Sequence, residues 1–96
     1  MSIEELISRY VASAEHAFGE LEVAGVCMNL EANNIKRVVE FAKAYLEDAK
    51  YYKDKKKFEV SLASVAYCEG LLDALRLLGA VRFEWPLKMK EERGEK

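Results

Sequence analysis

Apolar residues recur every three or four positions along most of the chain, a spacing typical of amphipathic helices. Ser2, followed three residues later by Glu5, forms a capping-box pattern that satisfies backbone N–H groups at a helix start. A first helix is therefore predicted over residues 3–24, ending at Gly25 because glycine tolerates the backbone angles that terminate helices. Its apolar stripe consists of Ile3, Ile7, Tyr10, Ala14, Ala17, Leu21 and Ala24.

A second helix is predicted over residues 31–56, where apolar positions fall within about 140° of arc at roughly 100° per residue. The opposite face is charged. The polar stretch 54–57 then interrupts the pattern, which indicates a short connection and an antiparallel helical hairpin. The apolar positions are Ile35, Val38, Val39, Phe41, Ala42, Tyr45, Leu46, Ala49 and Tyr52.

The third predicted helix, over residues 58–78, differs because fourteen of its twenty-one residues are apolar and they are not confined to one stripe. We expect it to be the most buried element, with more hydrophobic surface than two partner helices cover. Ala66, Gly70 and Ala74 form a small-residue ridge that would let a neighbouring helix approach closely. Gly79 provides its C-terminal cap.

A short extended segment, residues 81–86, follows the third helix. Its Phe83 and Trp85 are placed to fold back over the end of the bundle, whereas the charged residues 87–96 are expected to fray. The predicted fold class is all-α. It consists of a three-helix up-down-up antiparallel bundle in a single domain, residues 1–86.

Two strings are distinctive, YLEDAKYY at 45–52 and AYCEGLLDALRLLG at 66–79. They resemble the archaeal family known as domain of unknown function 357, and the resemblance extends over nearly the whole chain to about Trp85. It implies a small, helical, cytosolic protein of archaeal origin. It implies no activity and no catalytic residues. Many members of that family have Gly-Asp between the last two helices, where this chain has Lys56 and Lys57.

The formal net charge is −2, which argues against a strongly basic nucleic-acid-binding protein. The net charge is the sum of an acidic first helix and a basic second helix. These opposite charges favour packing between the two helices. Cys27 and Cys68 offer neither a disulfide framework nor a zinc-knuckle spacing. The N-terminus lacks the pattern of a signal peptide, and no apolar run is long enough to span a membrane. We therefore predict a cytoplasmic protein without membrane contact.

Three charged residues of the third helix, Glu69, Asp73 and Arg76, lie within about 60° of one another on an apolar sector. Two carboxylates one turn apart suit a cation, a basic partner or proton transfer. The structural alternative pairs Asp73 with Arg76, and Glu69 with a lysine or arginine of another helix. His16 is the only histidine, and no Gly-rich phosphate loop occurs. No catalytic residue, metal or cofactor is predicted.

A basic cluster stands at the end of the second helix. Its lysines suit phosphates and an exposed tyrosine can stack on a base, although lysines there also complement the helix dipole. The candidate nucleic-acid-binding residues are Lys50, Tyr51, Lys53, Lys55, Lys56 and Lys57.

The leading functional prediction is a non-enzymatic helical interaction module. It self-associates or binds a protein partner through the apolar third helix, with a weak RNA- or DNA-binding accessory domain as the alternative. An enzyme using Glu69 and Asp73 is a third hypothesis. The candidate partner-binding residues are Glu69, Asp73, Arg76, Phe83 and Trp85.

Overall fold

The computed structural model describes residues 1–23 and 30–86. Its elements are α1 (Ile3–Glu20), β1 (Glu22–Val23), α2 (Ala32–Asp54), α3 (Phe58–Leu77) and β2 (Val81–Arg82). The predicted all-α fold with three helices is confirmed. Residues 87–96, predicted to fray, lie outside the described residues, as do Gly25 and Cys27.

Helix α1 begins as predicted but ends earlier. The Ser2 backbone N–H donates to Glu5 Oε1 at 2.9 Å, and the Glu5 N–H donates to Ser2 Oγ at 3.1 Å, which completes the capping box. The helix ends at Glu20 rather than at residue 24, because the chain becomes extended there and β1 pairs antiparallel with β2. This pairing joins segments that are distant in sequence, so the local pattern of apolar residues gives no sign of it.

A tight turn at Lys56 joins α2 and α3 into an antiparallel hairpin. Lys56 has a φ of 63°, and the Lys57 N–H donates to the Tyr52 carbonyl at 2.9 Å. This is a Schellman motif, in which glycine usually occupies the left-handed position. Helix α3 ends in the same motif with Gly79, at a φ of 80°. Lysine at this position costs about 1 kcal/mol relative to glycine.

The core lies between the three helices and is closed at one end by the segment that follows β2. Ser61, fully buried on α3, donates from Oγ to the Ala49 carbonyl of α2 at 2.6 Å and so fixes the two helices against each other. The Glu84 N–H donates to Glu20 Oε1 at 3.2 Å, which ties the C-terminal segment to α1. The buried apolar residues include Ile7, Ala14, Ala17, Ile35, Ala42, Leu46, Ala49, Val65, Cys68, Leu72, Leu75, Val81, Phe83 and Trp85.

Candidate interaction surface

The inner side of α3 carries the predicted row of charged residues, and the structure brings most of the candidate partner-binding residues together there. Glu69 is buried, one turn before Asp73. Asp73 Oδ1 accepts a hydrogen bond from Trp85 Nε1 at 2.9 Å and lies 3.5 Å from Arg76 Nε. The predicted pairing of Asp73 with Arg76 is therefore confirmed, and the indole is a second partner that the sequence did not indicate.

Phe83 and Trp85 cover this charged row. Their rings meet edge to face with centroids 4.8 Å apart, and the Arg76 guanidinium lies 6.0 Å from the centre of the Phe83 ring. The Trp85 side chain belongs to the core and is only 6% exposed. Both rings thus fold over the end of the bundle as predicted. Their direct contact with a partner stays a prediction, but rings buried this deeply offer a partner little surface.

The outer side of α3 is exposed and uncharged. From residue 60 to residue 78, no exposed position of α3 or its C-terminal cap carries a charged side chain. Leu77 is 73% exposed and Tyr67 is 54% exposed, which is unusual for apolar and aromatic residues in one continuous strip. We call this strip the apolar face. It consists of Val60, Ala63, Ala66, Tyr67, Gly70, Ala74, Leu77 and Leu78.

The apolar face continues onto α2 across a shallow cleft. Tyr45 of α2 and Tyr67 of α3 meet edge to face with ring centroids 4.6 Å apart. Phe41, which is 57% exposed, stands beside them. The cleft has a volume of about 220 Å³ and is lined by Val38, Phe41, Tyr45, Tyr67 and Leu71. Its walls are therefore aromatic and aliphatic side chains from both helices.

The predicted small-residue ridge lies within the apolar face. Ala66, Gly70 and Ala74 are all exposed, so no described segment of this chain packs on the ridge. A Cβ atom added to Gly70 would meet nothing within 4 Å, which leaves the space above the ridge open.

Phe41 was expected on the buried arc of its helix, but it points to solvent. The signal that could have located this face is the lack of charges on one arc of α3.

The basic cluster is spread over more than one side of the α2–α3 turn. Lys50 Nζ lies 2.9 Å from Glu15 of α1, and the hydrogen bond and charge of this carboxylate raise the pKa of Lys50. Lys55 lies over the Tyr51 ring, 5.5 Å from its centre. Lys56 and Lys57 are exposed, whereas Lys53 is half-buried. The turn thus presents three exposed lysines beside one exposed tyrosine, while Lys50 is already paired.

We next consider the side chains that could react or bind a metal ion among the described residues. His16 is exposed, and its Nε2 lies 3.2 Å from Glu20 Oε2. Burial raises the pKa of the Cys68 thiol to about 12, so it holds its proton at neutral pH. Within residues 1–23 and 30–86, no group of three Asp, Glu, His or Cys side chains is placed to hold a metal ion. None of the described helices has the length and hydropathy needed to cross a membrane.

We compared the chain with curated proteins, solved structures and protein-family models. No curated protein and no solved structure matches this chain. One family model matches residues 9–81, which cover all but the first turns of α1 and extend through α3 to the first residue of β2. Its description is "Protein of unknown function (DUF357)". Because this match spans most of the sequence, the chain belongs to the DUF357 family, as the two strings in α2 and α3 predict.

Proposed function

We propose that this protein is a helical interaction module that binds a protein partner through the apolar face of α3. The observation that carries the proposal is the exposed, uncharged strip from residue 60 to residue 78. Contiguous apolar surface on a soluble domain is costly to leave in water and is typical of a binding site. At about 25 cal/mol per Å² of apolar area, covering this strip would supply a substantial driving force for association.

The inner side of α3 supports this choice of surface. Asp73, Arg76 and Trp85 hydrogen-bond or pair with one another, and Phe83 and Trp85 are buried. These residues therefore hold the C-terminal segment against the bundle. That role leaves the outer side as an uncovered apolar surface of the described helices. The partner-binding residues that we propose are accordingly Tyr67, Leu77, Leu78 and Phe41.

Site-specific photo-crosslinking tests this proposal. A benzophenone side chain placed at Tyr67 should form covalent products with a protein in the cells that make this chain. The same group at Lys43, an exposed position on the charged side of α2, is the matched control and should yield much less product. Products from position 67 would be identified by mass spectrometry. Equal yields from the two positions, or no products from position 67, would refute the proposal.

A second candidate function rests on the α2–α3 turn, where Tyr51 and Lys55 to Lys57 are exposed side by side. Weak binding of single-stranded RNA or DNA would use these lysines for phosphates and the tyrosine ring for a base. Affinity for a labelled single strand should then fall steeply with salt. The double variant Lys56→Glu/Lys57→Glu should abolish it, whereas the control Lys36→Glu/Lys43→Glu, with the same change in charge, should not. Equal effects of the two double variants would remove this candidate.

A further inference from the structure

We propose that the apolar face is occupied by a second copy of this chain, docked antiparallel about a two-fold axis that passes between Tyr67 and Gly70. This inference rests on the proposed function, because it names the partner of the same surface. Three features of the α2–α3 hairpin support it. They are the order of large and small residues along α3, two charged residues on α2 and the dimensions of the hairpin.

The first feature is a pattern of sizes that is complementary to itself. In an antiparallel pair of α3 helices, one axis places Tyr67 of each copy opposite Gly70 of the other. The same axis places Val60 opposite Leu77, and Ala63 opposite Ala74. Large residues thus meet small ones near the centre, and aliphatic residues meet at both ends, as an isologous interface requires.

Gly70 is the most informative residue of this pattern, because no described residue of the same copy packs against it. It lies inside α3, its φ is not in the left-handed region, and an added Cβ would meet nothing within 4 Å. Glycine inside a helix costs about 1 kcal/mol relative to alanine. An aromatic ring from a second copy, seated on the bare backbone, gives that glycine a role.

The second feature is charge complementarity on α2. Arg37 and Asp48 lie on the same side of the helix as Phe41, which lines the cleft beside Tyr67. Both are exposed, and neither forms an ion pair with another described residue. The point midway between Arg37 and Asp48 on α2 lies level with the point between Tyr67 and Gly70 through which the two-fold axis passes, to within about one residue, roughly 1.5 Å. This alignment follows from the antiparallel hairpin, in which Tyr45 contacts Tyr67. One two-fold axis therefore brings Arg37 of each copy to Asp48 of the other.

The third feature is the size of the surface. Helix α3 has 20 residues and is therefore about 30 Å long. With α2 beside it, the hairpin face is about 20 Å wide. These dimensions give about 600 Å² per copy and about 1,200 Å² in total, which reaches the lower limit for specific protein interfaces. A single helix face would fall short of it, so the contribution of α2 is needed.

Analytical ultracentrifugation of the full chain and of a matched pair of variants tests the dimer. The wild-type chain should be dimeric at micromolar concentrations. Gly70→Leu should raise the dimer dissociation constant at least tenfold, because the new side chain occupies the place of the tyrosine ring. Gly19→Leu is the control, since Gly19 is also helical and exposed, with nothing within 4 Å of an added Cβ. Circular dichroism would verify that both variants remain folded.

Charge reversal tests the orientation of the two copies. Arg37→Asp and Asp48→Arg should each weaken the dimer, because each places like charges together across the axis. Mixing the two variants should restore association, since both contacts are then attractive in the mixed dimer. A mixture that stays as weak as its components would overturn the two-fold arrangement, and so would a Gly70→Leu chain that dimerises like the wild type.

The outcomes separate this inference from the proposed function. If the chain is monomeric at all concentrations and position 67 crosslinks to a different protein, the second copy is wrong and the interaction module stands. If the chain is monomeric and position 67 yields no product, both the dimer and the interaction module are wrong.

Discussion

The inner side of α3 holds two carboxylates and a guanidinium, whereas its outer side presents a valine, a tyrosine and two leucines to solvent. On the inner side, Asp73 is bonded to Trp85 and paired with Arg76, so its charge has partners within the fold. On the outer side, Leu77 and Tyr67 are both more than half exposed. Polarity alone therefore does not decide which side of this helix faces the core.

The two sides of α3 differ in whether neighbouring groups compensate their side chains. A buried charge is tolerated where hydrogen bonds and an opposite charge compensate its lost hydration, and Asp73 has both, from Trp85 and Arg76. The exposed apolar strip has no such compensation among residues 1–23 and 30–86. The inner side therefore contributes to the stability of the folded chain, whereas the outer side is the surface that the proposed partner would cover. Five experiments test this division, from the largest expected effect to the smallest.

Trp85→Ala should lower the free energy of unfolding by about 3–5 kcal/mol, because it removes a buried ring and leaves a cavity at the end of the bundle. Urea denaturation followed by circular dichroism would measure the loss. Trp85→Phe is the control, since it keeps a ring but removes the donor to Asp73, and it should cost clearly less. A loss below about 1 kcal/mol for Trp85→Ala would show that the C-terminal segment does not seal the inner side.

Cys68 should react with iodoacetamide far more slowly in the folded chain than in urea. With its pKa raised from 9.0 to about 12, the folded thiol forms about a thousandfold less thiolate near pH 8. Peptide mass spectrometry would follow the modification of Cys68 separately from Cys27. Similar rates in the two states would place Cys68 outside the core.

The same shift has a consequence for stability against pH. Because the folded state raises the pKa of the thiol above its ordinary value of 9.0, the stabilisation is complete below about pH 9. It is lost as the pH rises towards about 12. Cys68→Ala should flatten this part of the profile. An unchanged alkaline loss in that variant would assign it to other groups.

Asp73→Ala should destabilise the chain by about 1–3 kcal/mol, since the Trp85 N–H and Arg76 lose their acceptor in a partly buried place. Asp73→Asn keeps an acceptor oxygen and should cost less. Thermal unfolding of the two variants beside the wild type would measure both effects. If the two substitutions were equally harmless, the row on the inner side would contribute nothing to the fold.

Leu77→Ser should change the free energy of unfolding by less than about 0.5 kcal/mol, because the side chain is already in water. Leu72→Ser is the matched control on the inner side, where the same substitution should cost several kcal/mol. Both would be measured at concentrations low enough to keep the chain monomeric. A large loss for Leu77→Ser under those conditions would show that the outer side already packs within one chain.

The sequence predicts most of the fold because the helices are built from local signals. The capping box at Ser2 and the glycine at position 79 mark helix ends that the structure confirms. The early end of α1 could not be predicted, since it depends on pairing between Glu22–Val23 and Val81–Arg82, which no local pattern reveals. The turn at Lys56 was expected from its polar residues, but its left-handed backbone was not.

The candidate site was only partly predictable. The spacing of Asp73 and Arg76 correctly indicates that they pair, and the aromatic residues at 83 and 85 correctly indicate a cover for the bundle. Helical periodicity also shows that α3 has too many apolar positions. It does not say which of them remain uncovered, because that depends on where α1 and α2 lie around α3. The exposure of Tyr67, Leu77 and Phe41 therefore required the structure.

The β1–β2 ladder and the contacts beside it join distant parts of the chain, which bears on the order of folding. The hydrogen bond between Ser61 and Ala49 spans 12 residues, whereas the one between Glu84 and Glu20 spans 64. Because the entropy cost of closing a loop rises with its length, we expect the α2–α3 hairpin to form first and the C-terminal segment to dock last. Until then, the part of the inner side that Phe83 and Trp85 cover is open to water. Its carboxylates and guanidinium would keep that side hydrated in the partly folded chain and so limit aggregation before Trp85 closes the bundle.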